Sequence, residues 1–237
     1  MKEINFEEKI LIAGSKGMAG SAIHRTLLRN GYGDIKKGGY IFNPTRNELN
    51  LLDIFEVQKW FKKNKPTIVI IAAAKVGGIW ANAKYPVDFL LENLKIQNNI
   101  IETAWQNDIK RLLFLGSSCI YPKFANQPIK EEYLLEGSLE KTNESYAIAK
   151  ISGLKLCESL RKQYSFDAIS LMPTNLYGPG DNYHLENSHV MASLINKFCL
   201  AVKNSSKNVI CWGSGTPKRE FLHVDDLGDA ALFCLEN

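Results

Sequence analysis

The chain has 237 residues, 45% of them apolar, and its 29 lysines and arginines exceed its 25 aspartates and glutamates by four. Such a length and composition suit one large α/β domain, or a domain with a small second one, with a sizeable core. So slight a basic excess, with no run near the about 18 apolar residues of a membrane span, argues against nucleic-acid and membrane partners and suits a small anionic ligand.

In chain order, "KILIAG" (9–14) reads as a strand, 18–30 as an amphipathic helix and "YIFNP" (40–44) as a second strand. A helix over 53–63, a strand "TIVIIAAA" (67–74), a long helix over 87–107 and a strand over 111–118 follow. A helix over 143–164 and a strand "DAISLMP" (167–173) complete the regular part. These strands lack polar alternation, which is what burial on both faces under crossover helices produces. Alternating strands and helices predict right-handed βαβ units and a doubly wound parallel sheet, the Rossmann type of dinucleotide-binding fold. Beyond Pro173 the pattern loosens into a Gly-, Pro- and Asn-rich loop, then a helix (188–203), a short strand "NVICW" (208–212), the turn "GSGTPK" and a last helix (225–236). The expected division is a dinucleotide-binding domain over 1–172 and 221–237, with 173–220 as part of a small substrate-binding domain.

Between the first strand and helix stands "AGSKGMAGSAI", in which Gly14, Gly17 and Gly20 are spaced G-x-x-G-x-x-G. Gly14 permits a tight turn, Gly17 lets the backbone approach a pyrophosphate, and Gly20 lets helix pack on strand. An NAD site usually places an acidic residue after the second strand; here "FNPTRNELN" offers Arg46, with Lys16 in the glycine loop. Two cations at that place suit a ribose 2′-phosphate, so the expected cofactor is NADP(H). "ESYAIAK" sets Tyr146 and Lys150 at i, i+4 on one helix face, where the ammonium is expected to lower the phenol's pKa and fit it for proton transfer to a carbonyl oxygen. In "LFLGSSCIYP" (113–122) a continuing strand would point Ser117, Cys119 and Tyr121 to one face and leave Ser118 opposite.

Five scattered cysteines (119, 157, 199, 211 and 234), without a CxxC pair or a metal-like cluster with histidine, read as reduced thiols of a cytoplasmic protein, and "MKEINFEEKI" holds no signal peptide.

Ser117, Tyr146 and Lys150 together resemble the triad of the short-chain dehydrogenase/reductase family, in its extended branch. The strings "AAAKVGGI" (72–79), "LFLGSSCIYP", "NESYAIAKISGLKLCE" (143–158), "MPTNLYGPGDNYHLENSHV" (172–190) and "WGSGTPKREFLHVDD" (212–226) resemble the members of that branch that turn GDP-4-keto-6-deoxy-D-mannose into GDP-L-fucose. The resemblance implies epimerisation at C3 and C5, then reduction at C4 by NADPH. It assigns an acid–base pair to Cys119 and His189, and it places Lys197, Trp212 and Arg219 against the GDP part of the substrate. It implies a cofactor crevice built from the glycine loop with Met18, from Leu115 and Gly116, from Pro173, Asn175 and Leu176, and from Lys150 and His189. A homodimer through helices 87–107 and 143–164 is implied as well, as are relatives that run several dozen residues past "FCLEN". Three rivals remain at this stage, one of them an inactive fragment that aggregates or relies on a partner chain and would betray itself by exposed apolar surface. A nucleotide-sugar 4-epimerase or 4,6-dehydratase would favour NAD and need no Cys119–His189 pair; a chain that only binds NADP(H) would need no Tyr-x-x-x-Lys.

Overall fold

A computed structural model of the chain describes residues 3–184, 188–211 and 213–237. Five parallel strands, β1 (Lys9–Ala13), β2 (Tyr40–Phe42), β3 (Ile68–Ile71), β4 (Arg111–Leu115) and β5 (Ala168–Leu171), form one sheet in the order β2-β1-β3-β4-β5. Around them run α1 (Met18–Arg29), α2 (Ile54–Asn64), α3 (Ile79–Lys84), α4 (Pro86–Gln106) and α5 (Glu144–Tyr164). After β5 come β6 (Asn175–Tyr177), α6 (Val190–Lys203), β7 (Phe221–His223) and α7 (Val224–Glu236).

The central strands are apolar on both faces, apart from Lys9 and Arg111 at the starts of β1 and β4, because each side of the sheet is covered. Leu11, Ala13, Val69, Ile71, Leu112 and Phe114 point toward α2, α4 and α5, meeting Val57, Phe61, Ile100, Cys157 and Leu160. Their neighbours Ile10, Ile12, Ile68, Ile70, Leu113 and Leu115 point the other way, toward Ile23 and Leu27 of α1 and Leu227, Ala231 and Leu235 of α7. Period two along each strand thus feeds two cores. Helix α2 starts at Asp53, whose carboxylate accepts the amides of Phe55 and Glu56 at 2.8 and 3.2 Å, so an orphan end is capped. Arg111, at the start of β4 and 7% exposed, ties the far end of α7 to the sheet. Its guanidinium donates to Asp167 at 2.5 Å and to the carbonyls of Cys234 and Leu235 at 3.3 and 3.0 Å.

The strand order reverses between β1 and β3, the switch point at which the carboxyl ends open a crevice for a ligand. Three features depart from the sequence reading. The strand expected over 111–118 ends at Leu115 and passes into a 3₁₀ turn over Ser118–Ile120. Residues 208–211 form no strand. A second, two-stranded parallel sheet joins β6 to β7, pairing Asn175 with Phe221 and Tyr177 with His223.

Candidate active site

The glycine loop leaves β1 at Gly14, whose φ of +88° no L side chain favours; a Cβ there would stand 2.5 Å from the Ala73 amide nitrogen. Gly20 lies against the same turn, where a Cβ would approach the Gly14 carbonyl oxygen to 2.2 Å. Gly17 differs. Its nearest neighbour would be that oxygen at 3.4 Å, so a side chain there would enter the space ahead of α1 rather than the protein. The first turn of α1 carries no acidic side chain, and its positive end faces that space. Beside it Ser15 is buried, with a hydroxyl that has no hydrogen-bond partner. A cradle with room for a phosphate and a spare hydroxyl fits a dinucleotide.

Lys16 and Arg46 are both exposed. Lys16 lies within the field of Glu48, in the loop that follows β2, and of His24. Glu48 is an acid the sequence reading passed over. Its carboxylate accepts the Thr45 amide at 2.7 Å and the Thr45 hydroxyl at 2.8 Å, and these bonds hold it below the usual carboxylate range. Lys16 and Arg46 are the cations this edge offers a 2′-phosphate, and the Glu48 carboxylate, kept charged by its Thr45 bonds, stands in the field of Lys16.

At the other side of the crevice, main-chain bonds stitch the loop after β4 to the end of β5. The Gly116 amide donates to Leu171 at 2.8 Å, and the Ser118 amide to Pro173 at 3.0 Å. Ser117 caps the 3₁₀ turn, its hydroxyl accepting the Cys119 amide at 3.4 Å. What sets Ser117 and Cys119 together is therefore this cap and not strand alternation. From α5, Lys150, 3% exposed, donates its Nζ to the Leu115 carbonyl at 2.7 Å. The same Nζ lies 4.8 Å from the Phe114 ring centroid and 5.8 Å from that of Tyr146.

The electrostatics show Ser117, Cys119, Tyr146 and Lys150 as one cluster. Burial pushes Lys150 down to about 8, with the Cys119 thiol acting in the opposite direction. Burial pushes the Cys119 thiol up, and the Ser117 hydroxyl and the Lys150 ammonium partly offset it. The Tyr146 phenol is raised by burial and then by Cys119, against a hydrogen bond from Ser117. The expectation that Lys150 would lower the phenol is overturned: desolvation of a phenolate sets the direction, and what opposes it is the Ser117 hydrogen bond rather than the cation. Tyr146 consequently rests as a neutral phenol, a proton donor.

His189 is exposed at the N-cap of α6, where its carbonyl accepts the Ser193 amide at 2.9 Å. Among the described residues no hydrogen bond or ion pair links it to Cys119. Asn175 Nδ2 donates to the Glu220 carbonyl at 2.9 Å, while Leu176 packs on the core beneath the sheet. Lys197 Nζ donates to the Ile210 carbonyl at 3.3 Å. Arg219 lines a cavity of about 600 Å³ with Met191, Leu194, Phe198, Pro217 and Phe221. Trp212 lies outside the described residues. Asn93 on α4 was missed. Its side-chain oxygen accepts the Lys75 amide at 2.8 Å and its Nδ2 donates to the Lys75 carbonyl at 3.0 Å, fixing the loop after β3. Its signal was an amide on the apolar face of a long helix.

A family model described as the NAD dependent epimerase/dehydratase family matches residues 10–237. The chain is 54% identical over 228 residues to GDP-L-fucose synthase 1 of Arabidopsis thaliana, covering 96% of this chain and 69% of that one. It is 53% identical over 230 residues to GDP-L-fucose synthase of Escherichia coli (strain K12), covering 97% and 70%. The crystal structure of a GDP-L-fucose synthetase from Naegleria fowleri bound to NADP superposes with a TM-score of 0.86 at 30% identity, covering 99% of this chain and 74% of that one.

Proposed function

This chain belongs to the NAD dependent epimerase/dehydratase family, and we propose that it converts GDP-4-keto-6-deoxy-D-mannose to GDP-L-fucose by epimerising C3 and C5 and reducing the C4 ketone with NADPH. The observation that carries this reading is the thiol of Cys119 in one field with Ser117, Tyr146 and Lys150. Reduction of a ketone needs a hydroxyl, a phenol and a cation; a thiol in the same cluster has work to do only where protons leave and return beside the carbonyl.

The cofactor-binding set is the glycine loop of Gly14, Lys16, Gly17, Met18 and Gly20, with Arg46 at the adenosine end. Leu115, Gly116, Pro173, Asn175, Leu176 and His189 line the rest of the crevice, with Lys150 at the nicotinamide ribose. When bound, NADPH supplies the hydride. The chain's own residues supply the protons and the positioning. Ser117 donates a hydrogen bond to the C4 carbonyl oxygen, which stabilises the negative charge that develops there in both half-reactions. Tyr146, held neutral, gives that oxygen its proton during reduction. The Lys150 ammonium orients the nicotinamide ribose and faces the Tyr146 ring. Cys119 and His189 remove and return protons at C3 and C5; Ser117 and Lys150 are the groups that ease loss of the thiol proton against burial. Lys197, Trp212 and Arg219 hold the GDP, the cations meeting its pyrophosphate.

We propose the division into a dinucleotide-binding domain (1–172 and 221–237) and part of a substrate-binding domain (173–220), supported by the return of α7 onto the core beside α1. We also propose a cytoplasmic homodimer. Val87 and Leu91 of α4 and Ile148 of α5 are exposed apolar residues on the two helices assigned to its interface, and among the described residues no helix is long and apolar enough to cross a membrane.

The test is NADPH oxidation by the purified chain supplied with GDP-4-keto-6-deoxy-D-mannose, with Tyr146→Phe beside it. Turnover that the substitution slows by about 10²–10⁴-fold, with NADPH affinity kept, supports the reading. Turnover indifferent to Tyr146 contradicts it.

A further inference from the structure

The packing of α4 against α5 contains a polar contact with no part in the scheme above. Gln97 of α4 is 2% exposed, and its Nε2 donates to the main-chain carbonyl of Ala149 at 2.6 Å. Ala149 directly precedes Lys150. Gly153, one turn on, leaves the room this contact requires: a Cβ there would stand 2.8 Å from Gln97 Cδ and 2.7 Å from Phe114 Cζ. Phe114 in turn lies under the Lys150 ammonium, and Leu115, the next residue, accepts its hydrogen bond. A continuous set of contacts therefore runs from α4 through α5 to β4 and ends on Lys150. Stability alone does not favour this amide. Its Oε1 is buried without a partner, which costs free energy that an apolar side chain of the same size avoids.

We propose that Gln97 is a positioning residue, whose amide fixes the turn of α5 that carries Lys150 and so holds the ammonium between the Leu115 carbonyl and Tyr146. The inference rests on the reading of the site given above. The titratable groups facing Lys150 are the Cys119 thiol, from the turn after β4, and Tyr146, from α5 itself; α4 and β4 bring an uncharged amide and a phenyl ring. Among the described residues no charged side chain stands against the ammonium to restore its setting when α5 shifts.

Gln97→Met removes the donor at similar volume, and Gln97→Asn, which keeps the amide but shortens its reach, serves if the first does not fold. Thr103→Val is the control, because Thr103 is fully buried on the same helix with an unpartnered hydroxyl. Each is measured for kcat and KM, and each ligand-free protein, labelled with ¹³C-lysine, is titrated by NMR with Lys150→Arg for assignment. Gln97→Met lowers kcat about tenfold, leaves KM for the GDP-sugar unchanged and moves the Lys150 midpoint up toward the ordinary lysine range; Thr103→Val does neither. A Lys150 midpoint in Gln97→Met equal to the wild type's overturns the proposal, whatever kcat does. A shifted midpoint in a chain that turns over no GDP-sugar supports the positioning role and sinks the proposed reaction instead.

Discussion

Gly17 and Gly20 are three residues apart in one loop, and substituting each with alanine separates the cofactor cradle from the packing beneath it. At Gly17 the backbone is extended, with φ −78° and ψ 168°, a region alanine adopts freely. No atom stands nearer than 3.4 Å to the added Cβ. The weaker N-cap costs up to about 1 kcal/mol, and the stiffer unfolded chain returns about 0.4–1 kcal/mol, so stability barely moves. The methyl group instead occupies the approach of the phosphate. Losing one hydrogen bond to a charged group costs about 1.5–3 kcal/mol, roughly a ten- to hundredfold weaker NADPH complex. At Gly20 the Cβ would lie 2.2 Å from one backbone atom and 2.7 Å from another. Neither can turn aside as a side chain could. The gain in helix propensity, about 1 kcal/mol, does not offset the displacement of loop or helix, so Gly20→Ala lowers Tm by several degrees, at about 2–4 °C per kcal/mol. Fluorescence titration with NADPH and thermal unfolding read the two effects. If Gly17→Ala binds NADPH as the wild type does, or unfolds as early as Gly20→Ala, the assignment of the cradle is wrong.

Two further predictions concern buried cations. Lys150 has a folded value of about 8 against an ordinary 10.5, so the folded chain releases that proton first. Its contribution to stability therefore rises with pH between those values and is absent below them. Wild type should gain on Lys150→Met as pH rises through that window, in paired thermal melts; a constant difference would refute this. Arg111→Met leaves the carbonyls at the end of α7 without their donor and Asp167 with Arg161 alone, at 2.9 Å. It should cost about 2–4 kcal/mol in urea unfolding, and an unchanged midpoint would show that α7 does not depend on Arg111.

The five strands of the main sheet were legible because burial on both faces leaves no polar alternation, and their helices because each has one apolar stripe. Short elements outside the strand–helix alternation that flags β2 were not. Helix α3 has only six residues, and β6 and β7 three each, too few for any period to emerge. Gly14, Gly17, Gly20, Tyr146 and Lys150 stand out by type and spacing, and the structure brings Ser117, Cys119, Tyr146 and Lys150 into one cluster, but two of their physical relations were not legible. Strand alternation would set Ser117 and Cys119 on one face, whereas the chain enters a 3₁₀ turn after Ser117 and the hydroxyl caps the turn that holds the thiol. Tyr146 was expected to have a lowered pKa from a cation one turn away. The extent of burial, which depends on α4, β4 and the turn after it together, decides the opposite sign. Asn93 and Gln97 escaped notice because an amide on an apolar helix face looks like an exception until its main-chain partner, from another element, is seen.

The central claim is that one cluster exchanges protons beside a ketone and also reduces it, with Cys119 needed for the first and Tyr146 for the second. Solvent-deuterium incorporation at C3 and C5 of the GDP-sugar, followed beside NADPH oxidation in D₂O, tests it directly. The account predicts that Cys119→Ser slows incorporation about a hundredfold or more, while Tyr146→Phe still exchanges and no longer reduces. Deuterium entering at the wild-type rate in Cys119→Ser would contradict it.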